Sequence, residues 1–150
     1  MSRLFSYKMT DDTGFAPNPF WGELTLATCK PHIRLRKKVG DWIAGFTSSV
    51  LCGDPVGDEK LVFLMNVDTK LSIAEYFFNP RYKNKIPDPH HKLHVRRVGD
   101  NIYRPVSSDG DFEQLPNYHL SSSMWKYGRR FIWGIRPHIQ HISLFRPSSD

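Results

Sequence analysis

The chain has 150 residues, 39% of them hydrophobic and 13% aromatic, and a formal charge of +6. That length is about one domain and suffices to bury a core. Two cysteines are too few for a disulfide scaffold or a thiolate-rich zinc site, and the longest wholly apolar run, residues 61–65, falls far short of the about 20 residues a membrane-spanning helix needs.

The basic residues gather in short clusters at 34–38, 83–85, 96–97 and 129–130. They favour an anionic partner, which DNA or other nucleic acid, free nucleotide or an acidic membrane surface would each supply, over the plainer explanation of a solvated basic face. Residues 1–8 carry no signal-peptide apolar core, so a cytoplasmic location without membrane association is expected.

In chain order, residues 4–9 alternate Phe5, Tyr7 and Met9 with Ser6 and Lys8, the two-residue period of a half-buried strand. Residues 14–21 follow as a loop stiffened by Pro17 and Pro19 and carrying Phe15, Asn18, Phe20 and Trp21. Such a loop loses little conformational entropy when it clamps a flat ligand. Residues 24–26 offer a short strand, 33–38 a helical turn, and 42–46 a strand entered from Gly40 and Asp41. Residues 61–67 read as a central, fully buried strand.

The clearest helix start is Ser72-Ile73-Ala74-Glu75, a capping box flanked by Leu71 and Tyr76 as a hydrophobic staple and stopped at Asn79-Pro80. Residues 87–116 are rich in turn formers, with a strand-like island at 101–103 and a turn at 108–111. Residues 130–134 and 140–145 read as closing strands, and the tail 146–150 is expected to fray. The sum is one α+β domain over 1–150, with five to seven short strands, one or two short helices and long loops. It should form a small mixed, strongly curved sheet or β-barrel that resembles base-binding domains of the PUA and EVE type.

Cys29, beside Lys30, His32 and Arg34, is the best candidate nucleophile, because positive neighbours favour the thiolate. A small apolar residue ending a strand is the bland alternative. His119 is the histidine placed for general acid or base work. Asp100 and Asn101 can read the polar edge of a base while Tyr103 stacks, although Gly-Asp-Asn also makes a turn unaided. Phe15, Phe20, Trp21 and Trp42 supply further rings, and Lys30 and Arg34 supply charge for phosphate. The histidines at 90, 91 and 94 match no metalloprotease motif, and neither metal nor cofactor is expected. Glycine-rich phosphate loops and the Gly-x-Ser-x-Gly elbow are absent.

Taken together, Gly14-Phe15-Ala16-Pro17-Asn18-Pro19-Phe20, Cys29-Lys30-Pro31-His32-Ile33-Arg34, Val39-Gly40-Asp41-Trp42 and Gly99-Asp100-Asn101-Ile102-Tyr103 resemble the nucleotide modification associated domain, type two, over nearly the whole chain. The resemblance implies a link to bacterial and phage systems that handle modified bases. The residues it carries over are Pro17, Asn18, Pro19, Phe20, Cys29, Lys30, Pro31, Arg34, Gly40, Asp41, Trp42, Asp100, Asn101, Tyr103 and His119.

Three readings stay open: a reader that holds a base in an aromatic and polar slot, an enzyme working through Cys29 or His119, and a non-catalytic interaction module. The first requires the Pro17-Asn18-Pro19 turn and residues 100–103 to converge around a slot.

Overall fold

A computed structural model describes residues 1–107 and 110–118, and the backbone of 141–146. Five strands form one sheet in the order β1-β3-β4-β7-β2. They are β1 (Leu4–Lys8), β2 (Leu24–Leu26), β3 (Trp42–Phe46), β4 (Leu61–Ser72) and β7 (His141–Arg146). β1 runs parallel to β3 and the other pairings are antiparallel, so the sheet is mixed. A separate hairpin pairs β5 (Tyr103–Pro105) with β6 (Phe112–Gln114).

The sheet is open, with β1 and β2 at its two edges. The expected alternative of a closed barrel is therefore corrected: the 24–26 strand pairs with β7, and no β1–β2 pairing closes the ring among the described residues.

The two-residue period of β1 is realised, with Phe5 and Tyr7 turned inward. They share a sheet face with Ile43, Met65 and Val67, which join Leu26 in the central apolar cluster. The 61–67 segment departs from expectation. β4 runs on to Ser72, and Leu61, Val62 and Leu64 are 55%, 36% and 49% exposed, so only one face of this strand is buried at its start. A continuous apolar run carries no period by which a two-sided strand could be told from a one-sided one.

The helices are short: α1 (Pro31–Arg36), α2 (Ser49–Cys52), α3 (Ile73–Phe78), α4 (His94–Arg97) and a 3₁₀ segment, Pro80–Lys85. They outnumber the one or two expected, because α2 and α4 are single turns too brief to show a helical period. α3 starts at the capping box read from the sequence: Ser72 Oγ accepts from the Glu75 N–H at 3.2 Å, and Glu75 Oε2 accepts from the Ser72 N–H at 2.7 Å. Leu71 and Tyr76 pack in one cluster with Ala27, Ile73 and Tyr82.

Asp41 fastens the end of α1 to the start of β1. Its carboxylate accepts from the Lys38 N–H at 3.0 Å and the Arg3 N–H at 3.1 Å. These bonds, that from Lys38 foremost, hold its pKa below the ordinary carboxylate range. A folded pKa lowered in this way gives stability that is present above the unfolded value, near 3.9, and is lost as pH falls through the folded one. Asp41→Asn should be less stable than the parent at neutral pH, and the gap should close below about pH 4 in thermal melts.

Candidate functional site

The Pro17-Asn18-Pro19 turn and the 99–103 segment do converge, but through a buried polar network. Asp100 and Asn18 are both 0% exposed. Asp100 Oδ2 accepts from Thr25 Oγ1 at 2.7 Å and the Ala27 N–H at 3.2 Å, while Oδ1 accepts from the Tyr76 hydroxyl at 2.8 Å.

Into the same space comes Lys85, 1% exposed, from the 3₁₀ segment. Its ammonium donates to Asn18 O at 3.0 Å, Asn18 Oδ1 at 2.8 Å, Glu23 O at 2.8 Å and Thr25 Oγ1 at 3.0 Å. The Thr25 hydroxyl thus links the two charges, accepting from Lys85 and donating to Asp100. Asn18 Nδ2 donates to Val98 O at 2.9 Å and fixes the amide orientation. Burial pushes the Asp100 carboxyl up, against the pull of Lys85 and its hydrogen bonds. Burial also pulls Lys85 down to about 8, against Asp100 and Glu23.

Asn101 belongs to this scaffold as well. At 2% exposed, it donates from Nδ2 to the Tyr76 and Tyr82 carbonyls, both at 3.3 Å. Asn18, Asp100 and Asn101 therefore spend their polar groups inside the protein, and none of them reaches solvent in this conformation.

A second buried cation shapes the neighbouring turn. Arg34, 4% exposed, donates from Nε to Cys29 O at 2.9 Å and from Nη1 to Ala27 O at 2.7 Å. On either side of the Cys29 carbonyl the chain turns through consecutive left-handed residues, Cys29 (φ 54°) and Lys30 (φ 42°). Non-glycine residues rarely hold that conformation, and each costs of order 1–3 kcal/mol and persists only where its surroundings enforce it. Arg34 is what enforces it here, so it acts as a positioning residue; its buried guanidinium does not reach a phosphate.

That turn walls a cavity of about 100 Å³ lined by Tyr7, Met9, Thr10, Asp11, Thr13, Ala16, Cys29 and Lys30. The Cys29 thiol is free and exposed, against the expectation of a small residue ending a strand. The Lys30 ammonium lies 4.6 Å from the centre of the Tyr7 ring, close enough for a cation–π contact. The Tyr7 hydroxyl is buried and finds no hydrogen-bond partner among the described residues. Burial, followed by the nearby Cys29 and Asp12, pushes its pKa up. It therefore stays a neutral donor at physiological pH.

The remaining expected site residues lie elsewhere. Phe15 is a core residue, 3% exposed and clustered with Val98 and Ile102, and Phe20 packs against that cluster. Tyr103 bridges the same cluster and the one around Tyr76. Trp42 pairs in register with Leu4 and Asn66 and does not line the cavity. Trp21 is 37% exposed under the Arg96 guanidinium. His119 lies outside the described residues, as do the segment 130–134 read as a strand from the sequence, the basic pair 129–130 and the tail after 146.

Sequence reasoning missed Lys85, Thr25, Tyr76 and Tyr7. Tyr7 carried a signal, its inward place in the β1 alternation. Lys85 carried none, since it stands in a cluster that reads as a basic surface.

The fold and its site define a small α+β domain with a buried Lys–Asp network and, at a cavity wall, a strained turn held by Arg34. The model of nucleotide modification associated domain 2 matches residues 1–126, and the chain belongs to that family. Membership associates it with nucleotide modification. No curated protein and no solved structure matches the chain.

Proposed function

We propose that this protein recognises a base or nucleotide within a base-modification system, and that one edge of the heterocycle enters the cavity between β1 and the Cys29–Lys30 turn. Family membership supplies the ligand class. The observation that carries the location is the strained Cys29–Lys30 turn facing Tyr7, whose buried hydroxyl has no partner among the described residues. Strain held by a buried arginine next to a spare donor is what a preorganised polar contact requires.

Size limits what enters. A volume of about 100 Å³ is below the roughly 150 Å³ that admits benzene, so the cavity suits an exocyclic substituent or ring edge while the sugar stays outside. Lys30 then stands at the rim for the phosphate, and the net charge of +6 favours the approach of an anion.

The test is calorimetric titration with deoxynucleoside monophosphates, including 5-substituted pyrimidines. Lys30→Ala should weaken binding by about 10- to 150-fold, as expected for loss of a charge-assisted hydrogen bond of roughly 1.5–3 kcal/mol. Equal affinity in parent and variant would remove Lys30 from the site.

A second reading, direct chemistry on the base, is favoured by the exposed Cys29 thiol on the same cavity wall. In it Cys29 is the nucleophile and His119 the acid or base. Cys29→Ser should then change the cellular nucleoside profile, read by mass spectrometry, while nucleotide affinity is kept. An unchanged profile would leave the reader.

A further inference from the structure

Trp21 holds φ 67°, a left-handed conformation that a bulky side chain adopts only under constraint, and its indole is 37% exposed. The Arg96 guanidinium lies 4.6 Å from the ring centre on one side. Arg96 is held in turn by Asn84 Oδ1 at 3.3 Å, and its carbonyl accepts from the Asp88 N–H at 2.8 Å. Arg97 donates to the His91 and Lys92 carbonyls at 3.2 and 3.0 Å, which ties the 91–92 turn to the same segment.

Lys83, next to Asn84 in the 3₁₀ segment, and Lys92, whose carbonyl Arg97 holds, are exposed, and neither makes an ion pair among the described residues. Of the acidic side chains nearby, Glu23 is paired with Arg81, while Asp88 accepts from the uncharged backbone N–H of His90 at 3.2 Å and keeps its charge. A constrained, exposed ring backed by a guanidinium, with exposed lysines outside any ion pair on the segments that hold that guanidinium, has the composition of a stacking platform for a charged strand. Trp21 does not line the cavity, so the platform is a second contact point, useful only to a ligand longer than one nucleotide.

We propose that Trp21, Arg96 and the adjacent Lys83 and Lys92 form a stacking platform for single-stranded nucleic acid, so that the partner of this domain is a polymer strand. The proposal rests on the nucleotide reading above and specifies its substrate class. One base stacks on Trp21, phosphates lie along Lys83 and Lys92, and a neighbouring base is offered to the cavity.

The test is fluorescence anisotropy with labelled oligo(dT) of about ten residues, beside calorimetry with a mononucleotide. Trp21→Asn is the informative variant, because asparagine tolerates the left-handed conformation and so removes the ring without adding strain. The ratio of oligonucleotide to mononucleotide affinity should fall about 5- to 150-fold in Trp21→Asn. Lys83→Ala and Lys92→Ala should each lower the slope of log affinity against log salt by about 0.7.

An oligonucleotide that binds no tighter than a mononucleotide, or whose affinity survives Trp21→Asn, overturns the platform and leaves the cavity reading standing if Lys30→Ala still weakens the mononucleotide. Tighter binding of duplex than of single strand also overturns the platform. Failure of both probes to bind overturns platform and cavity together.

Discussion

Lys85→Met should destabilise the protein by about 3–5 kcal/mol in urea unfolding, the usual cost of removing one partner from a buried charge pair. The variant leaves Glu23 O without its donor, reduces Asn18 O and Asn18 Oδ1 to their bonds from Thr25 and the Phe20 N–H, and strips Asp100 of the positive charge that offsets its burial. Adding Asp100→Asn should return part of that loss, because the uncompensated carboxylate disappears. The double variant should therefore be more stable than the sum of the single effects.

The pH dependence follows in sign. Lys85 is lowered from 10.5 to about 8, so between those values the unfolded chain binds the proton that the folded chain has released. Stability from this group therefore rises with pH from about 8 to 10. Lys85→Met should lack that rise. An unchanged alkaline profile in the variant would mean that Lys85 is not buried in solution.

Gly99→Ala should cost about 3 kcal/mol, the upper range for overpacking. A Cβ at Gly99 would meet the Lys85 carbonyl and carbon and the Pro87 nitrogen, all backbone atoms with no rotamer to yield. The only relief is to push the 85–87 backbone away. That movement strains the hydrogen bond from the Asn101 N–H to Lys85 O, at 3.0 Å, and shifts the root of the lysine that knits the site together. Urea unfolding should therefore show both lower stability and, added to Lys85→Met, less than additive loss, because the two changes disturb one contact. Full additivity would separate Gly99 from the scaffold.

What was legible in the sequence was local. The alternation of Phe5 and Tyr7, the capping box of Ser72 and Glu75 and the stop at Asn79-Pro80 each depend on neighbours within a few residues, and each stands in the structure as read. Of residues 101–103 only Tyr103 lies within a strand; Ile102 adds one backbone bond, from the Leu115 N–H at 2.7 Å, and Asn101 is held by buried contacts.

The convergence of the 17–19 turn with the 99–103 segment was legible as proximity. Its content was not. Whether two polar segments enclose a ligand or each other depends on what a third segment brings, and here that segment is the 3₁₀ turn carrying Lys85 over a separation of more than sixty residues from Asn18. The residues read as one slot consequently divide into a buried scaffold (Asn18, Arg34, Asp100, Asn101), a cavity wall (Cys29, Lys30) and an outer ring (Trp21).

The central claim is that a nucleotide enters beside the Cys29–Lys30 turn. Backbone amide chemical-shift mapping during titration with a deoxynucleoside monophosphate tests it most directly. Shifts concentrated at Tyr7, at residues 9–13 and at Cys29 and Lys30 are the expected result. A bound nucleotide that leaves those amides unmoved and shifts others would contradict it.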